Sequence, residues 1–223
     1  MALIYSDFSI ISVGMSCQTA EQIYAQKDAL DAMVGETSAK HNTPFDWLIC
    51  PPEAAIRLLD RGRFVPEAAD RLRRVHDRVV CDETGAWYWH NPRAIENFDN
   101  LASRFNHMAG TLDSLAGKPV LAFWSNSQRN LDHSAIHYGI DIVARDRDLT
   151  ALETALIGHL PRARLLPVIM DDRCDLSHPP QPGSYTPYTP DDSPRNWRGN
   201  HGFWREVFAS ALDEILTGQA TAA

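Results

Sequence analysis

The stretch Phe8-Ser-Ile-Ile-Ser-Val-Gly-Met-Ser-Cys17 decides the reading of the fold. Its first six residues are a β-branched run that reads as a buried strand ending at Gly14. A helical pattern follows at once: Ala20, Ile23, Tyr24, Lys27, Leu30 and Val34 recur at steps of three and four, stopping near Gly35. Gly14 is expected to supply the positive φ of a sharp turn, and Ser16 to cap the helix. A strand, a tight turn and a helix in succession open an α/β chain.

The rest of the sequence repeats the alternation. Phe45 to Cys50 reads as a second short strand, Pro51-Pro52 opens a helix through Leu59, and a third strand is expected around Val79-Val80. Ile95, Phe98, Leu101, Ala102, Phe105, Met108 and Leu112 mark a long amphipathic helix. Pro119 to Trp124 is a buried strand. Asp148 or Thr150 caps a further helix, with Thr150 and Glu153 spaced as a capping box. Leu165 to Met170 is the next strand, where Pro167 suggests an edge or bulge. Phe203, Trp204, Val207, Phe208, Ala211, Leu212, Ile215 and Leu216 mark the last helix. The expected architecture is α/β: a three-layer, mostly parallel sheet with helices on both faces, as one domain over residues 1–223. Chemistry in such sheets gathers at the carboxyl ends of the strands.

Composition narrows the function. With 21 Lys and Arg against 29 Asp and Glu, the chain carries a net charge of −8. An acidic chain without a basic run makes neither nucleic acid nor an anionic membrane an expected partner. No apolar stretch reaches the roughly 18 residues of a membrane span, and Met1 to Asp7 lacks the basic start of a signal peptide. Cys17, Cys50, Cys81 and Cys174 are scattered without a CxxC pair, which suits reduced thiols in the cytoplasm. Residues 172–202 are polar and hold six of the 14 prolines, with Tyr185, Tyr188 and Trp197 among them. This segment reads equally as a solvated connector and as a substrate lid.

Cys17 is the candidate nucleophile. In the first turn of a helix the macrodipole favours an anion, and a thiol there has its pKa lowered toward neutrality. The alternative is a small buried packing residue. Cys50 and Cys81 end apolar runs and read as packing; Cys174 lies in the polar segment. A nucleophilic cysteine needs a base, and His90, between Trp87-Tyr-Trp89 and Asn91-Pro92, is the first choice. His201 is held in reserve. Asp46, an acid inside an apolar stretch, is the candidate to orient the imidazole, with Asn91 a second reserve. Gly14, Ser16 and Gln18 border the turn whose N–H groups would form an oxyanion hole. His133 and His137 are four apart, yet no third ligand is indicated, so neither a metal nor any other cofactor is expected.

Three motifs in order, Ile11-Ser-Val-Gly-Met-Ser-Cys17, Thr43-Pro-Phe-Asp-Trp47 and Trp89-His-Asn91, resemble a bacterial family of papain-like cysteine peptidases, a domain of unknown function. The likeness covers roughly residues 8–125 and extends to Arg104 and to Val120-Leu-Ala-Phe123. Val13 stands where the family usually has leucine, and Asn91 where an aspartate often follows the histidine. The resemblance implies a cysteine–histidine site at Cys17 and His90. It also implies a papain-like α+β fold as the alternative to the α/β alternation.

Two functions follow. In the first, the chain is a cysteine-dependent hydrolase or acyltransferase acting on an amide, ester or thioester of a small-molecule or peptide substrate. An esterase-like variant would use Ser16. In the second, Cys17 is packing, Asp46 caps a turn, and the tryptophans and the Pro-rich loop bind a glycan or peptide without catalysis. The oligomeric state is not readable from the sequence.

Overall fold

The computed structural model describes residues 8–34, 41–176, 186–188 and 198–220, with side chains except at 33–34, 186–187 and 214–220. The chain opens with β1 (Ser9–Ser12), α1 (Gln18–Ala25) and α2 (Lys27–Val34). The single helix expected here is broken at Gln26, whose side-chain amide is engaged by Gln22 and by the His201 carbonyl. After α2 the chain reaches a 3-10 turn at Pro44–Trp47, then α3 (Pro52–Arg61). The strand expected over Phe45 to Cys50 is therefore mostly this turn. Pro44 fixes φ at its first position, and strand character survives only as an isolated bridge from Ile49 to Trp87.

An antiparallel hairpin follows, β2 (Leu72–Val75) and β3 (Arg78–Cys81), with His76 at φ 53 in its turn. Next come α4 (Phe98–Asp113), β4 (Val120–Ser125), α5 (Leu131–Tyr138), β5 (Ala144–Arg145) and α6 (Asp146–His159). Helix α6 starts before both expected caps; Arg145 holds the capping position without a side-chain bond. The chain closes with β6 (Ala163–Ile169), β7 (Cys174–Asp175), β8 (Thr186–Pro187) and α7 (His201–Ala220).

The main sheet has the order β1-β4-β6-β8 and is parallel throughout; β5 and β7 form a separate small parallel pair. The chain is thus α/β. Strand β6 is interior, not an edge. Its Pro167 lies one residue short of the β8 pairing at Val168 and Ile169, so the missing N–H falls where only β4 borders it.

Alternate strand residues feed two apolar clusters, as a pleated strand requires. Ile10, Leu121, Phe123 and Val168 join Ile23, Leu30, Trp204 and Phe208 from α1, α2 and α7. Ile11, Val13, Ala122, Trp124 and Ile169 join Leu58, Phe105 and Leu156 from α3, α4 and α6. Phe123 meets Phe208 edge-on at 5.0 Å between centroids, a geometry worth about 1 kcal/mol beyond burial. Because β1, β4 and β6 run parallel, their carboxyl ends open on one edge. Val13 N still bonds Phe123 O at 2.9 Å, and the segments beyond, Gly14 to Cys17 and Asn126 to Gln128, emerge side by side.

Candidate functional site

Cys17 occupies the N-cap of α1 in right-handed backbone, and its carbonyl accepts the Glu21 N–H at 3.0 Å. The cap is Cys17 itself, not Ser16. Ser16 is 1 % exposed and its Oγ makes no hydrogen bond among the described residues. A nucleophile needs access, so a Ser16-centred esterase has no support in this geometry. Gly14 also serves differently than expected. It does not take a positive φ; instead an added Cβ would lie 3.2 Å from Ser12 Oγ and 3.3 Å from Thr19 Oγ1. The turn needs glycine for close approach, not for a left-handed conformation.

The thiol is partly buried, and its Sγ donates to Gln128 Oε1 at 3.7 Å. Its electrostatics reverse the expectation from the helix terminus. Burial pushes the Cys17 pKa up to about 11, the charges of Glu21 and Asp46 add to the rise, and only its backbone hydrogen bond opposes them. Removal of water from a partly buried thiol outweighs the first-turn dipole. The resting group is a neutral thiol.

The acceptor beside it comes from Ser125-Asn126-Ser127-Gln128, which continues β4 and was not singled out from sequence. All four are buried, Asn126 and Ser127 completely. Ser127 Oγ donates to Gln18 Oε1 at 2.6 Å and pairs with Ser125 Oγ at 2.7 Å. Asn126 Nδ2 donates to the carbonyls of Ile142 and Arg173, both at 2.9 Å, while its Oδ1 accepts Met170 N at 3.0 Å. Arg173, 3 % exposed, donates to the carbonyls of Asn126 and Gln128 and pairs with Asp132 at 2.8 Å. A buried cation and a buried amide thus hold the loop that carries Gln128. The signal for this loop was four consecutive polar residues directly after an all-apolar strand, beside the strand bearing the cysteine.

Asp46 lies close enough to raise the Cys17 pKa, but its carboxylate is engaged by its own turn. Thr43 N donates to Oδ2 at 3.1 Å and Thr43 Oγ1 to Oδ1 at 3.2 Å. His90 makes no hydrogen bond among the described residues. Its ring meets Trp47 edge-on, 6.1 Å between centroids, and partial burial together with the Arg78 charge lowers its pKa. The resting structure therefore does not join Cys17, His90 and Asp46 into a hydrogen-bonded triad. Asn91, the second reserve, accepts Arg104 Nη1 at 3.2 Å on Oδ1.

The reserve His201 stands over α1 rather than over the thiol. Its Nδ1 is 3.1 Å from Gln22 Oε1, and Gln22 also bonds the Arg198 carbonyl. Gln18, Gln22 and Gln26 form a buried polar stripe along α1 that seats the start of α7. Gly199 completes this junction at φ +86, its Cα face within 2.8 Å of Gln18 Nε2 for any added Cβ. Of the Pro-rich segment 172–202, Arg173 and Tyr188 are buried here, whereas Pro179, Pro180, Pro182, Tyr185, Pro190, Pro194 and Trp197 lie outside the described residues.

His133 and His137 stack at 5.0 Å, with His76 a further 5.2 Å from His137. Among the described residues no group of three His, Cys, Asp or Glu is placed to hold a metal ion. A cleft of about 470 Å³ lies away from the thiol, between Leu58, Val65, Cys81 and Tyr88. Its cations are matched within it, Arg61 by Glu83 and Arg63 by Glu67. Among the described residues no helix is long and apolar enough to cross a membrane. Compared with known protein families, curated proteins and solved structures, the chain matches none.

Proposed function

We propose that the protein is a cysteine-dependent hydrolase or acyltransferase whose nucleophile is Cys17. The observation that carries this reading is the placement of the thiol. It is partly exposed, at the carboxyl end of a parallel sheet, at a helix start, and flanked by the buried polar loop of the neighbouring strand. The resemblance to papain-like cysteine peptidases, with Cys17 and His90 on the matching motifs, supports the same assignment. Four free thiols suit a reducing, cytoplasmic setting. The division of the strands' side chains between two apolar clusters supports the sheet as the middle of three layers.

In this reading the thiol is held neutral until substrate arrives. The Cys17 S–H proton passes to neutral His90 as sulfur attacks the carbonyl carbon of an amide, ester or thioester. The carbonyl oxygen becomes an oxyanion facing the first-turn N–H groups of α1, the donors a helix N-terminus offers to an anion. The leaving group departs with the proton from His90, leaving a Cys17 thioester that water hydrolyses or a second acceptor takes. In this reading the His90 imidazole swings to the thiol when substrate binds. Gln128 releases the sulfur as it does so.

A second reading, a non-catalytic domain that binds a glycan or peptide, is favoured by one observation: the resting thiol is neutral and hydrogen-bonded to an amide oxygen. One experiment separates the two. The protein is incubated with aryl esters and alkyl thioesters and its intact mass followed. An acyl adduct on Cys17, lost in Cys17→Ala and slowed at least 100-fold in His90→Gln, supports the enzyme. No adduct on Cys17 with any acyl donor overturns it and leaves the binding domain.

A further inference from the structure

A second cleft, about 250 Å³, lies along the first turns of α4 and is lined by His90, Asn91, Arg93, Asn97, Asn100 and Arg104 among others. No carboxylate lines it, in a chain that carries a net charge of −8. The two arginines differ from those of the cleft beside Leu58 and Tyr88. Arg61 and Arg63 are matched by Glu83 and Glu67, whereas neither Arg93 nor Arg104 forms an ion pair among the described residues. The acids nearest in sequence are not in the lining: Glu96 is taken by Arg74 at 2.5 Å, and Asp99 is exposed.

Arg104 is held in place from two sides. Its guanidinium stacks over Trp47 at 5.2 Å, and its Nη1 donates to Asn91 Oδ1 at 3.2 Å. That bond fixes the orientation of the Asn91 amide. Helix α4, 16 residues long, adds the positive end of its macrodipole and its N-cap Asn97 makes no side-chain capping bond. One guanidinium held by Trp47 and Asn91, a second exposed one, an imidazole and side-chain amides line this space at the start of α4. A planar carboxylate uses donors in one plane; a tetrahedral oxyanion uses them on all sides.

We infer that this cleft is a binding site for a phosphate monoester or inorganic phosphate, with Arg93 and Arg104 as its donors. The assignment stands apart from the chemistry of Cys17, although the proposed base His90 lines this cleft. The opposite ends of the two arginines differ in consequence. Arg93 is exposed and its side chain makes no hydrogen bond or ion pair among the described residues, so its replacement removes binding with little effect on the fold; Arg104 also fastens Trp47 and Asn91.

The test is a titration of the full chain with inorganic phosphate at constant ionic strength, chloride making up the difference. It is followed by calorimetry and by the NMR signals of the His90 ring. Saturable binding that moves the His90 signals is expected, at least tenfold weaker in Arg93→Gln and in Arg104→Gln, and unchanged in Arg63→Gln, which lies in the other cleft. Acetate is expected to bind at least tenfold more weakly than phosphate. Should Arg104→Gln fail to fold, Arg93→Gln alone decides. Absence of saturation, saturation that Arg93→Gln leaves intact, or acetate equal to phosphate would each overturn the assignment.

Discussion

Gln128 turns its amide oxygen, not its N–H, toward Cys17. Gln128 Nε2 is committed to Asn130 Oδ1, which leaves Oε1 to accept the thiol 3.7 Å away. An acceptor beside S–H favours the protonated form, in the same direction as the burial that raises its pKa to about 11. Alkylation of the resting protein by iodoacetamide, followed at Cys17 by mass, is therefore expected to be slow at neutral pH. The rate should climb about tenfold per pH unit and level off only near pH 11. Asp46→Asn removes one of the charges that raise the pKa, so the plateau should move to lower pH. A plateau at or below that of an ordinary thiol in the wild type would show that the helix terminus, not burial, governs the group.

Asp46 holds the Pro44–Trp47 turn by accepting from both the N–H and the hydroxyl of Thr43. Asp46→Ala removes both acceptors and is expected to lower stability by about 1 kcal/mol in urea unfolding, the usual loss on removing a cap. Asp46→Asn keeps one oxygen and should lose less. Unchanged stability in Asp46→Ala, with acyl transfer to Cys17 abolished, would move Asp46 from the turn to the chemistry.

The course of the fold was legible where period and punctuation agreed. The run Phe8 to Val13, the helix around Phe105 and the strand Val120 to Phe123 stand where the sequence put them, because apolar period and burial point the same way there. The sequence misled where a polar side chain overrides the pattern. Gln26 continues a helical period from Ala20 to Val34, yet its amide bonds His201 O, 175 residues away, and the helix divides. The Asp46 side chain turns an apolar stretch that reads as a strand into a 3-10 turn. The site was half legible for the same reason. Cys17 and the Pro-Phe-Asp-Trp stretch stand out by composition, but Gln128 gains meaning only because β4 lies parallel beside β1, a pairing more than a hundred residues apart in the chain. The sign of the Cys17 pKa shift is likewise a property of burial, which position in a helix does not reveal.

Asn126 shows how much of the site depends on that pairing. Its side chain satisfies three backbone groups from two other segments: the carbonyls of Ile142 and Arg173 and the N–H of Met170. It is fully buried, so no solvent replaces those bonds. Asn126→Ala leaves all three groups unpaired, and at about 1 kcal/mol or more for each the expected loss is about 3 kcal/mol in urea unfolding. Asn126→Asp keeps an acceptor for Met170 but loses both donors and adds a buried charge, so it should be no better tolerated. The same loop presents Gln128 to the thiol, and Arg173, which also clasps it, bonds the Asn126 carbonyl. Loosening it should free Cys17 from its acceptor, and Cys17 alkylation at fixed pH should quicken in Asn126→Ala under conditions where the variant remains folded. A variant that loses stability while its Cys17 rate stays at the wild-type value would show that the loop keeps its shape without Asn126, with Arg173 alone sufficient to hold Gln128 against the sulfur.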